Sequence, residues 1–392
     1  MDRRLLVLAL GMFALGTDSF VVAGILPQVS HSFGVSIGAA GQLTTVYALV
    51  YALLSPTIAA VAAGVARKKL MIAALTIFVI ANLATAFAPN FGFALAMRAL
   101  AGLGAAMFAP TASGSAAALV PPERRGFALS VVVAGLTGAT ALGAPIGAMI
   151  GGFGDWRWTM VFVSVIGTAA SLGVATLLPE LPLPPQITLG QRLAPIADRR
   201  IALTLLTTLM AQSANFIVYT YFAVVFDRAI GGHTGVLGLA LVLWGSAGTV
   251  ANLTSGRLID RLGTRPVLRA MLALLVLDMA LLPLTSTYLV TALPALIIWG
   301  AFGWGILVPQ QHRLVTQAPS IAPVVLGLNV AATYLGVTFA GLIGAGGLQL
   351  VGAHRLGLAS ALFFALALIL SELSSQAIAR RKASCQPAVA SA

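Results

Sequence analysis

Long apolar runs, separated by short polar stretches or by Pro and Gly, dominate the chain. Twelve of these runs reach the length of about 20 residues that a helix needs to cross a bilayer. We predict spans at residues 5–27, 38–63, 70–88, 92–119, 127–151, 158–178, 201–226, 235–256, 267–285, 289–308, 323–350 and 356–378. The runs are continuous rather than alternating, which argues against a β-barrel. The pattern therefore predicts an all-α membrane protein with twelve transmembrane helices.

Composition supports the same fold class. The 392 residues are 59% hydrophobic and 8% charged, with a mean hydropathy of +1.00. Soluble domains carry about 25% charged residues, so a soluble globular protein is excluded. The four histidines lack the spacing of a zinc site, and none of the three lysines follows a Gly-rich phosphate loop. We expect no metal, no bound cofactor and no enzyme active site.

Basic residues indicate the orientation of the spans. The net charge is +12, and with a cytoplasmic N-terminus 18 of the 22 Lys and Arg residues fall on the cytoplasmic side. Such a bias is typical of multi-pass membrane proteins. It predicts that both termini are cytoplasmic. We therefore attribute the positive charge to membrane orientation and not to nucleic-acid binding.

The chain divides at its midpoint. Five prolines and five charged residues lie in 179–200, which we interpret as a cytoplasmic linker. It separates an N-terminal six-helix half, 1–178, from a C-terminal six-helix half, 201–378, which a tail, 379–392, follows. Ala109-Pro110 near the end of span 4 has a counterpart in Val308-Pro309 near the end of span 10. Two pseudo-symmetric halves with a site between them are a transporter architecture.

A ten-residue segment after span 8 carries the most specific motif. The segment Gly-Arg-Leu-Ile-Asp-Arg-Leu-Gly-Thr-Arg, 256–265, resembles the signature loop of the major facilitator superfamily. We expect a short turn in which Asp260 pairs with a neighbouring Arg or caps a helix, latching the cytoplasmic face in one state. The predicted gating residues are Gly256, Arg257, Asp260, Arg261, Gly263 and Arg265. The first-half copy retains only the basic run at 67–69.

Further motifs indicate a subgroup within this superfamily. Arg98 with the glycines after it is similar to the superfamily's arginine motif in span 4. Gly143, Pro145 and Gly147 in span 5 are similar to its Gly-Pro antiporter motif. The stretches 17–20 and 155–158 resemble the subgroup of arabinose-efflux, sugar-efflux and chloramphenicol-resistance exporters. The resemblance implies the twelve-helix major facilitator fold of the drug:proton antiporter type.

Two ionisable residues inside spans are the candidates for proton coupling. Asp18 in span 1 and Arg98 in span 4 both lie roughly 10 Å from the outer face, from the helical rise of about 1.5 Å per residue. Burial favours a neutral carboxyl group and a nearby arginine favours the charged form, so substrate or water can tip the balance. The alternative is a static ion pair. Asp278 in span 9 is either a hydrogen-bonded acid or a second proton site, and Glu372 is expected to reach toward Arg380.

Neutral polar residues are the candidates for the substrate cavity. One face of span 7 carries three of them, and we expect that face to lie opposite Asp18. The full set is Gln42 and Thr45 on span 2, Gln212, Asn215 and Tyr219 on span 7, and Asn329 and Thr333 on span 11. The alternative for each is a hydrogen bond between helices.

The sequence thus predicts a proton-coupled antiporter in a bacterial-type inner membrane. We expect it to be a monomer that exports a small uncharged or lipophilic compound, drug-like or chloramphenicol-like, by alternating access. An arabinose-type sugar exporter is one alternative, and a receptor or scaffold that transports nothing is another. The expected partners are the small-molecule substrate and the lipid bilayer.

Overall fold

The computed structural model describes residues 2–183 and 187–385 of the chain. Within those residues the structure is helical without strands, and twelve helices are long and apolar enough to cross a membrane. They run Arg3–Phe33, Ile37–Val61, Arg67–Ala86, Phe91–Ala118, Arg125–Phe153, Trp156–Leu177, Arg199–Tyr219, Thr234–Leu262, Thr264–Thr285, Leu289–Gln317, Ala322–Leu350 and Leu356–Cys385. We number them spans 1 to 12. The predicted span count and fold class are confirmed.

Local sequence signals fix where several helices begin and end. Side-chain oxygens of Asp2, Ser36 and Asn90 accept backbone N–H hydrogen bonds in the first turns of spans 1, 2 and 4. Such caps satisfy donors that have no partner within the helix. Span 1 ends at Gly34, whose φ of +63° is readily available to glycine. The helix boundaries therefore follow short-range chemistry as well as hydropathy.

Two groups of six helices pack around spans 1 and 7, which are the most buried of the twelve. Span 1 lies against spans 5 and 6, and span 7 lies against spans 11 and 12. The two groups meet where span 2 packs on span 11 and where span 5 packs on span 8. We call the end of the bundle that carries most Arg and Lys residues the basic end, and the other the far end.

Close contacts between the halves extend from mid-depth to the far end. Gln42 Nε2 of span 2 donates to the carbonyl of Gly341 in span 11, and the Tyr221 side chain lies so close to Gly41 of span 2 that a Cβ there would overlap it. Gly152 of span 5 lies against Thr234 of span 8 so closely that a Cβ would overlap the threonine side chain. The far end is therefore the tightly joined end in this conformation.

The space beside the glycines varies along the spans that join the halves. A Cβ at Gly126, Gly256 or Gly327 would have no heavy atom within 4 Å. These three glycines lie near the basic ends of spans 5, 8 and 11, which are the spans that join the halves elsewhere. Gly235 and Gly346, near the far ends of spans 8 and 11, have equally open surroundings, so open glycines occur at both ends of the bundle.

The linker crosses the basic end. A short helix, Leu189–Leu193, begins with a capping box formed by Thr188 and Gln191. Arg192 Nη2 donates to the carbonyl of Ala59 near the end of span 2 at 3.0 Å. The positions chosen as boundaries between linker and halves stay a prediction, and residues 386–392 of the predicted tail lie outside the described residues.

Five predicted span ends are wrong by six residues or more. Span 1 continues past 27 to Phe33, and span 12 continues past 378 to Cys385. Span 7 ends at Tyr219 rather than at 226, because the chain turns there into two short helices. Span 8 continues past 256 to Leu262, since its charged residues lie on the exposed side of an unbroken helix. Span 10 continues past 308 in a second helix, Leu307–Gln317. Hydropathy marks the membrane-embedded part of a helix, and polar extensions beyond it are invisible to that signal.

Candidate functional site

The structure brings Asp18 and Arg98 into direct contact. Arg98 Nη1 donates to Asp18 Oδ1 at 2.5 Å. The Asp18 side chain is 0% exposed and the Arg98 side chain is 1% exposed. A charged pair buried to this extent is costly to desolvate, and losing one partner is more costly still. Spans 1 and 4 thus share one buried ion pair, formed by the two residues predicted from the sequence.

Two further residues complete the surroundings of the pair. Asn82 of span 3 accepts a hydrogen bond from Arg98 Nη1 at 3.3 Å. The guanidinium carbon of Arg98 also lies 4.8 Å from the centre of the Tyr47 ring, within the range of a cation–π interaction. The sequence analysis missed both residues. A buried amide in an otherwise apolar span 3 was the signal available for Asn82.

Glycines in span 4 allow this approach. A Cβ at Gly102 would lie 2.5 Å from the carbonyl oxygen of Tyr47, and a Cβ at Gly104 would lie 2.7 Å from that of Ala74. No larger residue fits at these two positions without moving a backbone. The glycines after Arg98 therefore let span 4 lie close enough to spans 2 and 3 for Arg98 to reach Asp18.

The Gly-Pro segment of span 5 lies against span 1 beside Asp18. At Ala139–Gly143 the helix widens to a π turn, in which the Ala144 N–H donates to the carbonyl of Ala139. Pro145 follows and has no N–H to donate. A Cβ at Gly143 would overlap Thr17, and one at Gly147 would lie 2.6 Å from the Val21 side chain. The segment thus fits around the turn of span 1 that carries Asp18.

The predicted face of span 7 makes three different contacts. The Tyr219 hydroxyl donates to the backbone carbonyl of Phe20 in span 1 at 3.0 Å. Asn215 Oδ1 accepts from Trp299 Nε1 in span 10 at 2.5 Å, and Gln212 is buried beside Gly336 of span 11. Span 7 therefore contacts span 1 through Tyr219, at Phe20, which is two residues after Asp18. The other two polar residues of this face contact the C-terminal half.

The candidates on spans 2 and 11 join helices in this conformation. Gln42 bonds to span 11, and Thr45 lies so close to Gly341 of span 11 that a Cβ there would overlap it. Asn329 accepts from Thr208 of span 7 at 2.8 Å, and Thr333 bonds within its own helix. Neither of two surface grooves, of about 320 and 490 Å³, is lined by these residues. Their role in binding substrate stays a prediction.

The signature segment differs from the predicted turn. Residues from Gly256 to Leu262 continue the helix of span 8, and the turn consists of Gly263, with a φ of +84°. Asp260 is exposed and has no ion pair in the described part of the chain. The latch expected of the segment is thus not engaged in this conformation.

Arg265 at the end of that segment has a partner on span 12. Its Nη2 lies 2.6 Å from Glu372 Oε2, so the predicted reach of Glu372 toward Arg380 is wrong. The reason is geometric, because span 9 begins beside span 12 in the folded chain. Arg313 is buried nearby, where it donates to the hydroxyls of Ser371 and Ser375.

Asp278 lies in span 9 and is 7% exposed, and its Oδ2 atom has no hydrogen-bond partner in the described structure. Its role stays open between the two alternatives. Within the described ranges no group of three His, Cys, Asp or Glu side chains is arranged to hold a metal ion.

These features define a helical membrane transporter with a buried ion pair in its N-terminal half. The family model of the Major Facilitator Superfamily matches residues 8–341, and the chain belongs to that superfamily. It is similar to the uncharacterized MFS-type transporter YbcL of Bacillus subtilis, with 30% identity over 88% of this chain and 87% of the relative. It is also similar to a chloramphenicol resistance protein of Streptomyces lividans, with 34% identity over 67% of this chain and 68% of that protein.

Two solved structures show the same fold. A variant of the nucleoside transporter NupG superimposes with a TM-score of 0.76 at 12% identity, covering 96% of this chain and all of that chain. A bacterial homolog of the human lysosomal transporter Spinster also gives a TM-score of 0.76, at 17% identity, covering 96% of this chain and 97% of its own. The resemblance to the superfamily inferred from the sequence motifs is confirmed, and the chain is a multi-pass membrane protein.

Proposed function

We propose that this protein is a proton-coupled antiporter of the inner membrane that exports a small uncharged or lipophilic compound. The observation that carries the proposal is the fully buried Asp18–Arg98 pair. Span 1, which carries Asp18, also contacts the C-terminal half, because its Phe20 carbonyl accepts a hydrogen bond from Tyr219. Charged residues inside a membrane are costly and mark proton or substrate pathways by default. The similarity to a chloramphenicol resistance protein supports export of a drug-like molecule.

The mechanism is a rocking of the two halves that protonation of Asp18 biases. With Asp18 charged, Arg98 holds span 1 against span 4. A proton on Asp18 weakens that attraction and leaves span 1 freer to follow the C-terminal half. A proton can shift the conformational equilibrium only by its different affinity for the two states, and a paired and an unpaired carboxylate supply such a difference.

An arabinose-type sugar exporter is the second candidate within the same fold. A sugar offers hydroxyl groups that both donate and accept, and it needs a matching set of polar side chains. The predicted polar residues on spans 2, 7 and 11 are largely engaged with neighbouring helices in this conformation. This engagement favours the less polar substrate.

Proton flux in proteoliposomes loaded with a pH-sensitive dye tests the proposal. Chloramphenicol and arabinose are added in turn to vesicles that hold the wild type, Asp18→Asn or Glu123→Gln. Glu123 is an exposed acid in the loop before span 5 and serves as the matched control. We expect chloramphenicol to move protons in the wild type and the control but not in Asp18→Asn.

Substrate-driven proton flux by Asp18→Asn at the wild-type rate would remove the coupling role of Asp18. If arabinose moves protons and chloramphenicol does not, the sugar exporter replaces the drug exporter. If both compounds bind but neither moves protons, the result favours the receptor alternative over the antiporter.

A further inference from the structure

A cluster of eight contacting aromatic rings lies in the C-terminal half beside span 1. The rings belong to Phe20, Phe216, Tyr219, Phe222, Phe226, Trp244, Trp299 and Trp304. Seven of them come from spans 7, 8 and 10 and the segment after span 7, and Phe20 comes from span 1. We call this set the aromatic cluster. None of its members carries a charge.

Buried hydrogen-bond donors without a partner are concentrated in and beside this cluster. The indole N–H groups of Trp244 and Trp304 and the side-chain NH₂ group of Asn215 have no acceptor among the described residues. The three side chains are 0%, 8% and 0% exposed. A buried donor that lacks an acceptor has given up its hydrogen bond to water without a replacement, and most buried polar groups in folded proteins are paired. Three such donors in and beside the aromatic cluster point to a ligand that supplies acceptors.

The chemistry of these groups restricts the ligand. An indole N–H donates and cannot accept, and Asn215 Oδ1 is already occupied by Trp299. The Tyr219 hydroxyl is likewise engaged with the carbonyl of Phe20. What remains is a set of donors among aromatic faces. A carbonyl, nitro or ether oxygen on an aromatic ring matches both parts. A sugar would instead bring several hydroxyl donors to a place where the unpaired Thr220 hydroxyl, next to Tyr219, can accept only some of them.

Phe20 already shows how a ring fits. Its ring lies 5.4 Å from Trp304, edge-on, and 6.0 Å from Phe216, stacked, which are the separations that aromatic pairs prefer. Phe20 belongs to the other half of the protein, so a movement of span 1 withdraws it. A ligand ring can then take the same position against the C-terminal half.

Phe20 also connects this position to the ion pair. Two residues along a helix correspond to about 200° of rotation, so Asp18 and Phe20 point to nearly opposite sides of span 1. One side contacts Arg98 of the N-terminal half, and the other contacts the aromatic cluster. A ring that displaces Phe20 therefore moves the helix that carries Asp18.

We propose that the aromatic cluster is the substrate-binding subsite, and that the substrate is an uncharged aromatic molecule with hydrogen-bond acceptors whose ring replaces that of Phe20. The inference deepens the proposed function and rests on it for the direction of transport. Binding itself needs neither a pH gradient nor Asp18, so the two can fail separately.

Equilibrium binding of radiolabelled chloramphenicol to the purified protein in nanodiscs tests the subsite. Trp304→Phe and Trp244→Phe keep an aromatic ring and remove the N–H donor together with part of the larger indole ring system. We expect each to weaken binding roughly threefold to tenfold, the factor that the net free energy of one hydrogen bond represents. Trp158→Phe is the matched control, because Trp158 is 62% exposed and lies outside the cluster. Unlabelled 4-nitroacetophenone should displace the label, and arabinose should not.

Equal affinity of the wild type and both cluster variants would overturn the subsite, as would displacement of the label by arabinose. Failure of the wild type to bind either aromatic compound overturns the substrate class. If one variant does not fold, the other still decides between these results. A protein that binds in the expected pattern yet moves no protons retains the subsite and loses the antiporter mechanism.

Discussion

Removing the charges of Asp18 and Arg98 separately and together distinguishes a coupling pair from a static one. Asp18→Leu leaves the guanidinium of Arg98, 1% exposed, with the Asn82 amide and the Tyr47 ring as its remaining partners. Breaking a buried pair in this way costs about 3–5 kcal/mol. Arginine cannot escape by losing its proton, since it stays charged in proteins.

The opposite single change should cost less. Arg98→Met leaves Asp18 buried without its cation, but a carboxyl group in that situation takes up a proton and becomes neutral. The double variant Asp18→Leu/Arg98→Met removes both charges, and replacing a buried pair by apolar residues is often neutral or stabilising. We therefore expect the double variant to be the most stable of the three and close to the wild type. Arg98→Met should be less stable, and Asp18→Leu should be the least stable.

Stability is measured as the free energy of unfolding in mixed micelles, and coupling as substrate-driven proton flux in proteoliposomes. We predict that the double variant is stable and uncoupled. A double variant that still couples protons to export would refute the reasoning, because the pair would then serve only to hold spans 1 and 4 together. Equal costs for the two single changes would refute the argument that Asp18 can change its protonation state.

Three further predictions concern packing, pH and the signature segment. Gly147→Ala should destabilise the fold by about 1–3 kcal/mol through overpacking against span 1, while Gly126→Ala, in open space, should not; thermal unfolding compares them. A hydrogen bond from Arg200 lowers the pKa of Asp198 below its ordinary 3.8. The stabilisation of the fold by ionised Asp198 is therefore present above pH 3.8 and is lost as pH falls through the lowered pKa. Asp198→Asn should thus destabilise by less than about 1 kcal/mol at pH 7 and progressively less in acid, and an undiminished difference in acid would contradict this. Asp260→Asn should slow turnover in proteoliposomes by loosening the latch, and unchanged turnover would show that the segment is dispensable.

The fold could be predicted from sequence because each span must satisfy its backbone hydrogen bonds internally and must be apolar over the bilayer thickness. That constraint gives twelve helices with little freedom. It says nothing about polar extensions, so the helices of spans 1, 8, 10 and 12 continue past their predicted ends. Nor does it show a break within apolar sequence, such as the one that ends span 7 at Tyr219. The same signal cannot show that span 5 widens to a π turn at Ala139–Gly143.

The ion pair could also be predicted, because few ionisable residues lie inside the spans and two of them have matching depth. The partners of neutral residues could not. Asn82, Tyr47 and the tryptophans of the aromatic cluster are brought together by helix rotation and crossing angle, and those depend on packing across distant segments. Glu372 was assigned to Arg380 for the same reason, since chain proximity does not reveal that spans 9 and 12 are neighbours.

The most direct test of the antiporter account is uptake of radiolabelled chloramphenicol into proteoliposomes with an acidic interior. Protons leaving the vesicle should drive the compound inward, above its level outside. We predict accumulation in the wild type that a protonophore abolishes and that Asp18→Asn does not show. Equal uptake with and without the pH gradient, or gradient-driven accumulation by Asp18→Asn, would contradict the claim that Asp18 couples protons to export.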